Sequence, residues 1–315
     1  MPVPTRHVQI KRTCPHYHRK HRKPMPDTHP LSTGFELLRT PGLLIVGLLL
    51  AAGCQAQDMT SGASPMRGAA TAKGYLAEDE YPDSAALLPP PPAPGSAALA
   101  LDQELNRAML ELRGSARWEL AAEDARIRFP AAASLFSCAL GVPITEQDTP
   151  SVYILMRRSV ADVGASVMPA KKLYQRDRPF LVNAQSSCTP RADERTALDG
   201  SYPSGHTAAG WAWALIFAEI APDRTDAVLE RGWEYGQSRA VCNVHWQSDV
   251  IQGRLVGAAL VARLHANAEF RADLERARNE IAAVRAKGLP PNRDCKAEAL
   301  AFAAARPVQK PVGSN

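Results

Sequence analysis

Three short strings in this chain hold basic, hydroxyl, imidazole and carboxylate side chains at spacings that suit phosphoryl transfer. They read K-x6-R-P from Lys171, P-S-G-H from Pro203 and S-R-x5-H-x3-D from Ser238. Each string alone is a weak signal, but all three occur in order with every fixed position filled. Together they supply three cations, a helix start, two histidines and an orienting carboxylate, which are the parts needed to move a phosphoryl group.

Three basic side chains of these strings are predicted to bind phosphate oxygens: Lys171, Arg178 and Arg239. Arginine offers a planar pair of N–H donors and lysine a point charge. Phosphoryl transfer depends mostly on positioning and charge stabilisation, so three cations suit it. Singly, each would be a surface charge, and the neighbouring Lys172 and Arg176 are interpreted in that way.

The second string predicts an anion-binding turn in front of an apolar helix. Gly205 lets the backbone approach a ligand closely, and the free N–H groups at a helix start bind anions. The hydroxyl of Ser204 adds a further donor. The tetrapeptide by itself would be interpreted as a plain turn; beside the other strings it predicts a phosphate cradle.

The two histidines of the strings suit a division of roles. His245 and Asp249 are four residues apart and would share one face of a helix. A carboxylate that accepts from one imidazole nitrogen fixes the tautomer and leaves the other nitrogen free as a nucleophile. His206 would then protonate the leaving alkoxide. No cluster of Asp, Glu or Cys has metal-ligand spacing, so the sequence predicts no metal site and no cofactor.

The segments that carry the strings are predicted to be helical. Apolar residues from Val152 to Val167 recur three and four apart, after Thr149-Pro150, which supplies an N-cap and a proline at the first helical position. Further helices are predicted over 101–127, 207–220, 225–238, 245–265 and 268–287, the last largely solvated. Strand-like alternation is nearly absent. The predicted fold is all-α, a single compact domain over 98–305 with a tail at 306–315.

Residues 1–56 are interpreted as a leader. An apolar run of eleven residues, Leu43–Gly53, is too short for a bilayer, which needs about 20, but fits a signal peptide. Cleavage before a lipid-anchored Cys54 and cleavage after Ala56 both remain open. The basic, histidine-rich start is either a metal- or polyanion-binding tail or lies upstream of a true start at Met25, which we favour. We therefore expect a periplasmic protein.

The net charge of +5 comes from the leader. Residues 1–56 hold eight Lys/Arg and two Asp/Glu, which leaves 29 and 30 for the remainder. The folded part is near-neutral, so charge gives no argument for a nucleic-acid partner. Residues 57–97 are rich in Ser, Ala, Gly and Pro and are predicted to be a linker or extended arm without a packed core. No run after the leader is predicted to span a membrane.

Four cysteines follow the leader, and an even number in an exported protein fits two disulfides with three possible pairings. Cys242 lies three residues before His245, and Cys188 lies between the first two strings. We therefore expect a bond between Cys188 and Cys242, which leaves Cys138 and Cys295 to pair by elimination. The alternative is four reduced, buried cysteines.

The three strings resemble those of the type 2 phosphatidic acid phosphatase and vanadium haloperoxidase superfamily. Within it, Gly200–Thr207 and Gly236–Val250 are similar to the class A bacterial nonspecific acid phosphatases, and the similarity runs from about Leu87 to Arg285. The resemblance implies an all-helical fold, secretion to the periplasm and homo-oligomers. It also implies hydrolysis of a broad range of small phosphomonoesters at acidic pH through a phosphohistidine.

Residue by residue, the resemblance assigns phosphate binding to Lys171, Arg178, Ser204, Gly205 and Arg239, the acid to His206, the nucleophile to His245 and its partner to Asp249. Two alternatives share these residue types. One is a vanadium-dependent haloperoxidase, which holds vanadate, and the other is a phosphate-binding relative without activity. A lipid phosphatase of the same superfamily would need several membrane spans, which this sequence does not predict.

Overall fold

The computed structural model describes residues 73–305, and within that range it contains helices and no strand, which confirms the predicted all-α class. The helices are α1 (Ser84–Leu87), α2 (Ala97–Leu110), α3 (Ala116–Asp124), α4 (Ser137–Leu140), α5 (Pro150–Tyr174), α6 (Pro179–Asn183), α7 (Pro190–Ala197), α8 (Gly205–Ile220), α9 (Thr225–Val241), α10 (Gln247–Leu264), α11 (Ala268–Ala286) and α12 (Cys295–Ala305). The predicted leader with its signal peptide, Met25 and Cys54, the first part of the linker and the tail lie outside the described residues.

Helix α8 lies at the centre of the domain and packs against α5, α9, α10 and α11. Its sequence is apolar on every side, and Ala208, Trp213 and Phe217 are fully buried. A helix with apolar residues all round its surface is stable only when it is covered on all sides. Within residues 73–305, every helix is too short or too polar to cross a lipid bilayer.

Two glycines allow α10 to approach α8 closely. A Cβ atom on Gly253 would lie 2.5 Å from the carbonyl oxygen of Ser204, and one on Gly257 would lie 2.5 Å from that of Ala208. Only glycine fits at these distances. The contact joins the second and third strings, since the Ser204 N–H donates to the Asp249 carbonyl oxygen at 3.0 Å.

The predicted helix over 101–127 is wrong, because two helices occupy this range. Gly114 takes a φ of +75° after α2, a conformation that favours glycine. Ser115 then caps α3, with its Oγ accepting from the Trp118 N–H at 3.3 Å. The break turns the end of α3 toward the strings.

Helix α11 is exposed at ten of its nineteen positions, but it also has a buried face that its charged composition did not suggest. Phe270, Leu274, Ile281 and Val284 form a buried stripe against the core. Its Glu280 also caps α5, accepting from the Ser151 N–H at 3.0 Å. The charged residues lie between the apolar ones, so the average composition concealed an amphipathic helix.

Residues 73–97 also differ from the expected linker, because they pack on the domain. Tyr75, Leu76 and Leu88 are buried. The carboxylate of Asp162, inside α5, accepts from the N–H groups of Tyr75 at 2.9 Å and Leu76 at 3.2 Å. The prediction was based on the average composition of the segment, to which these few buried apolar residues contribute little beside the many small residues and prolines.

Two further contacts fix this segment near the strings. The Oγ of Ser84 accepts from the N–H of Ala170 at 3.1 Å, one residue before Lys171. The hydroxyl of Tyr202 donates to the carbonyl oxygen of Pro89 at 2.6 Å, just ahead of the P-S-G-H string. The proline-rich segment is therefore part of the wall that supports the first two strings.

Both expected disulfides are present in the structure. Cys188, between α6 and α7, is bonded to Cys242 at the end of α9 with 4.8 Å between the Cα atoms. Cys138 in α4 is bonded to Cys295 at the start of α12 with 5.4 Å between the Cα atoms. The bond between Cys188 and Cys242 holds the loop between α6 and α7, which follows the first string, beside the third string.

Candidate active site

The three strings meet at one cavity of about 990 Å³. Its lining includes Lys171, Arg178, Gly205, His206, Arg239 and His245. The two remaining predicted residues, Ser204 and Asp249, are fully buried beside this lining. The structure thus brings together side chains that are up to 78 positions apart, between Lys171 and Asp249.

Lys171 lies in the last turn of α5 and is buried at the cavity. Its Nζ donates to the carbonyl oxygen of Gly200, in the loop that leads into the second string. Burial, aided by the neighbouring charge of Arg178, lowers the pKa of Lys171 to about 7. The charge of this lysine therefore changes with pH around neutrality.

Arg178 is held in one orientation by backbone carbonyl groups. Its Nε donates to the carbonyl oxygens of Thr196 at 2.9 Å and Asp199 at 3.1 Å, and its Nη1 donates to that of Val244 at 2.9 Å. Burial lowers the pKa of Arg178 to about 10, which leaves it charged at acidic and neutral pH. The result is a fixed, permanent cation in the cavity wall.

Arg239, near the end of α9, is the least satisfied of the three cations. It is only 4% exposed, and its Nε and Nη1 have no hydrogen-bond partner among the described residues. Leaving a buried charged donor unpaired costs free energy. Because this guanidinium lines the cavity, an anion bound there would supply the missing acceptors.

The second string forms the start of α8, with Ser204 as the N-cap. The Oγ of Ser204 accepts from the N–H of Thr207 at 3.3 Å and from its hydroxyl at 2.8 Å. The N–H groups of the first helical turn, from Gly205 onward, have no partner within a helix. Their position at the cavity lining suits an anion-binding helix start.

His245 is 3% exposed and is oriented through both ring nitrogens. Nδ1 lies 3.4 Å from Oδ2 of Asp249, and Nε2 lies 3.1 Å from Nη1 of Arg178. A guanidinium nitrogen only donates, so Nε2 is the acceptor and the proton lies on Nδ1. Burial and the charges of Arg178 and Lys171 hold the pKa of His245 well below its usual value. Both effects favour the neutral ring.

The local structure around His245 differs from the predicted helix over 245–265. Helix α10 begins at Gln247, and Trp246 is its N-cap. Oδ2 of Asp249 accepts from the N–H of Trp246 at 2.9 Å, as a capping carboxylate does. Asp249 reaches His245 from this capping position rather than along a helix face.

His206, in the first turn of α8, lies on the cavity lining. Its Nε2 is 3.2 Å from the carbonyl oxygen of Ala125, just after α3. A carbonyl oxygen only accepts, so Nε2 carries a proton and Nδ1 is the nitrogen left for proton exchange. Burial, with the nearby charge of Arg239, holds the pKa of His206 well below its usual value.

Arg176, interpreted from the sequence as a surface charge, is a buried partner of the site. Its side chain is 9% exposed, and its Nη1 donates to Oδ1 of Asp249 at 2.6 Å. Its Nη2 donates to Oδ2 of Asp102, in α2, at 2.8 Å. The interpretation was wrong because only the fold reveals these partners; Lys172, interpreted in the same way, is exposed.

Ser238, the first residue of the third string, is fully buried and supports its neighbour Arg239. Its hydroxyl donates to Oδ2 of Asp124, in α3, at 2.6 Å. The other carboxylate oxygen of Asp124 accepts from Nη2 of Arg231 at 2.5 Å. This ion pair fixes α9 against α3 and thereby positions Arg239 relative to His206.

Comparisons with known proteins agree on one family. The family model described as the PAP2 superfamily matches residues 152–272. A non-specific acid phosphatase of Providencia stuartii is 44% identical over 209 residues, which cover 66% of this chain and 84% of the relative. A non-specific acid phosphatase of Salmonella typhimurium is 39% identical over 214 residues, covering 68% and 86%. An acid phosphatase of Zymomonas mobilis is 37% identical over 219 residues, covering 69% and 83%.

Proposed function

The chain belongs to the PAP2 superfamily and, within it, to the family of the bacterial non-specific acid phosphatases; on that premise we propose that it hydrolyses phosphomonoesters through a phosphohistidine at His245. The buried guanidinium of Arg239 carries the proposal: its Nε and Nη1 lack a hydrogen-bond partner within residues 73–305, and it lines a cavity shared with His245. It provides a place for the phosphoryl oxygens beside an unprotonated nitrogen.

In the first step, Lys171, Arg178 and Arg239 bind the phosphoryl oxygens, together with the start of α8 and Ser204. Nε2 of His245 attacks phosphorus, and the bond from phosphorus to the ester oxygen breaks as the N–P bond forms. His206, as the imidazolium, gives a proton to the departing alkoxide. The alcohol leaves, and Asp249 stabilises the positive charge that the phosphorylated ring carries.

In the second step, water attacks the phosphorus of the phosphohistidine. His206, now neutral, takes a proton from the water as the new O–P bond forms and the N–P bond breaks. Inorganic phosphate is released, His245 regains its unprotonated Nε2, and His206 is again the imidazolium. Each residue thus returns to its starting state.

The charges of the cavity favour activity on the acid side of neutrality. His245 must be unprotonated, and its low pKa keeps it so as pH falls. Lys171 has a pKa of about 7, so the free site loses one of its cations as pH rises above that value. His206 must be protonated to act as an acid, and its lowered pKa also limits activity at high pH. Bound phosphate would raise the pKa of His206 by offsetting the surrounding cations.

We propose that the reaction needs no divalent metal, because the three cations neutralise the transferring group, as a metal does elsewhere. Within residues 73–305, no three His, Cys, Asp or Glu side chains are grouped as metal ligands. We expect phosphate release from a panel of alkyl and aryl phosphomonoesters to persist in chelator and to be inhibited by vanadate, which can adopt the five-coordinate geometry of the transition state.

Three results of that assay would contradict the proposal. Loss of activity in chelator, restored by zinc or magnesium, would make the enzyme metal-dependent. Oxidation of bromide by the vanadate-loaded protein would favour the haloperoxidase alternative. Phosphate binding without turnover of any ester would favour the inactive relative.

We also propose export to the periplasm, on the basis of the apolar run Leu43–Gly53 and the small residues that follow it. The mature chain is then expected to begin at Cys54 or Gln57. Intact-mass measurement on protein from its native host tests this, and a diacylglycerol-sized increment would select the lipid-anchored form at Cys54. A mass that includes residues 1–40 would refute cleavage.

A further inference from the structure

A continuous chain of charged groups extends from His245 away from the cavity. Oδ2 of Asp249 faces the ring of His245, and Oδ1 accepts from Nη1 of Arg176 at 2.6 Å. Nη2 of Arg176 donates to Oδ2 of Asp102 at 2.8 Å. Asp102 lies in α2, outside the residues that the family model matches. We call Asp102, Arg176 and Asp249 the carboxylate relay.

The relay is buried throughout and is fixed by further hydrogen bonds. The side chains of Asp102, Arg176 and Asp249 are 4%, 9% and 0% exposed. Oδ1 of Asp102 accepts from the N–H of Ser248 at 2.9 Å, and Nη1 of Arg176 donates to Oγ of Ser248 at 2.7 Å. The guanidinium also lies 5.4 Å from the ring centroid of Trp246. Each group therefore has one defined orientation.

Arg176 opposes the effect of burial on the pKa of the Asp249 carboxyl. Asp249 is fully buried, and this burial raises the pKa of its carboxyl above the usual value even with Arg176 beside it. Of the neighbours that oppose the rise, Arg176 has the largest influence, and the N–H of Trp246 and the charge of Lys171 have smaller ones. If Asp249 became protonated, Nδ1 of His245 would lose a charged acceptor, and its tautomer would no longer be fixed.

We propose that Arg176 and Asp102 are positioning residues for the phosphatase reaction: Arg176 keeps Asp249 ionised and aimed at Nδ1 of His245, and Asp102 keeps Arg176 in place. Neither residue is among those that line the cavity, so we expect them to act on the nucleophile and not on substrate binding. Asp102 holds the far side of the guanidinium and so prevents it from turning away from Asp249. This inference rests on the proposed function, because it assumes that His245 is the nucleophile.

The ionisable groups around Asp249 give the relay a signature in the pH profile. Those that face it are Arg176, Lys171, Arg178, His245, Tyr202 and, across Arg176, Asp102. Active enzyme needs Asp249 ionised, so kcat falls as pH drops through the pKa of that carboxyl. Removing Arg176 raises this pKa and moves the acid limb of the kcat profile to higher pH. Removing the negative charge of Asp102 moves it to lower pH.

The test compares R176M, R176K and D102N with the wild-type full chain. Losing the carboxylate that orients a catalytic histidine costs about 10⁴-fold in kcat, so for R176M, one group further away, we expect about 10²-fold. KM should change less than about threefold, because the three phosphate-binding cations are intact. R176K keeps a charge and should recover part of the loss. Should R176M fail to fold, D102N still tests the relay through its opposite shift.

The matched control is R158M. Arg158, in α5, donates from Nη1 and Nη2 to the two carboxylate oxygens of Glu269 at 2.5 and 2.9 Å, and it contacts no residue of the relay. R158M should keep the wild-type kcat and pH profile. An unshifted acid limb in both R176M and D102N, a loss confined to KM, or an equal fall of kcat in R158M would overturn the relay. If H245A is inactive while R176M behaves as wild type, the relay alone fails; an active H245A refutes the proposed function itself.

Discussion

Replacing His245 by alanine is expected to reduce kcat by at least about 10⁵-fold, to below detection. Enzymes accelerate phosphomonoester hydrolysis by up to ~10²¹-fold over the uncatalysed reaction, and removing the nucleophile of a catalytic triad costs on the order of 10⁶-fold. The variant should nevertheless fold, since Arg178 keeps its bonds to the carbonyl oxygens of Val244 and Thr196. It should also bind inorganic phosphate with nearly the wild-type affinity, because the three cations remain.

Two measurements check this expectation. When the wild-type enzyme is mixed with a phosphomonoester that carries a radiolabelled phosphate and is quenched in alkali, the label should be found on His245. H245A treated in the same way should carry none. H265A is the control, because His265 is the third histidine of the described residues and does not line the cavity. It lies at the surface beside Glu219, with 3.1 Å between Nε2 of His265 and Oε2 of Glu219. Turnover by H245A at more than about 1% of the wild-type rate, or label on a different residue, would show that the nucleophile is wrongly assigned.

The candidate site was largely predictable because its residues lie at helix ends, where a short string specifies local geometry. Ser204-Gly205 starts α8, Arg239 lies in the last turns of α9, and Asp249 caps α10. Each of these positions depends on neighbours within a few residues. The Ser-Gly helix start is therefore visible in the sequence before any tertiary contact is known. The i, i+4 spacing placed Asp249 near His245 but wrongly predicted a shared helix face, because Asp249 caps α10.

What the sequence did not predict depends on contacts between distant segments. Nothing in the sequence around Arg176 distinguishes it from a surface arginine. Its buried ion pair with Asp102, 74 residues earlier, is visible only in the fold. The same holds for Ala125, whose carbonyl oxygen fixes the tautomer of His206. The packing of segment 73–97 was not predicted, because the prediction used the average composition of the segment. That average is determined by its many small residues and not by the few buried apolar ones, such as Tyr75.

Replacing His206 by alanine is expected to have the second-largest effect, and its size should depend on the leaving group. General acid catalysis contributes about 10²–10⁴-fold, so kcat for an alkyl phosphate should fall by that amount. For p-nitrophenyl phosphate the fall should be much smaller in the first step, since nitrophenolate is a weak base and leaves without a proton. The variant keeps His245 and its low pKa, so phosphohistidine should still form from the aryl ester and should accumulate as hydrolysis of the intermediate slows.

The pH profile gives the same assignment an independent check. A general acid works only while protonated, so part of the decline of kcat at high pH belongs to His206, whose pKa is lowered by burial and by Arg239. H206A should lose this contribution to kcat with the alkyl ester, whereas the decline of kcat/KM that follows deprotonation of Lys171, with its pKa of about 7, should persist. H265A again serves as the control and should leave both limbs unchanged. Equal losses for alkyl and aryl esters with an unaltered profile would mean that His206 holds the substrate or the fold and transfers no proton.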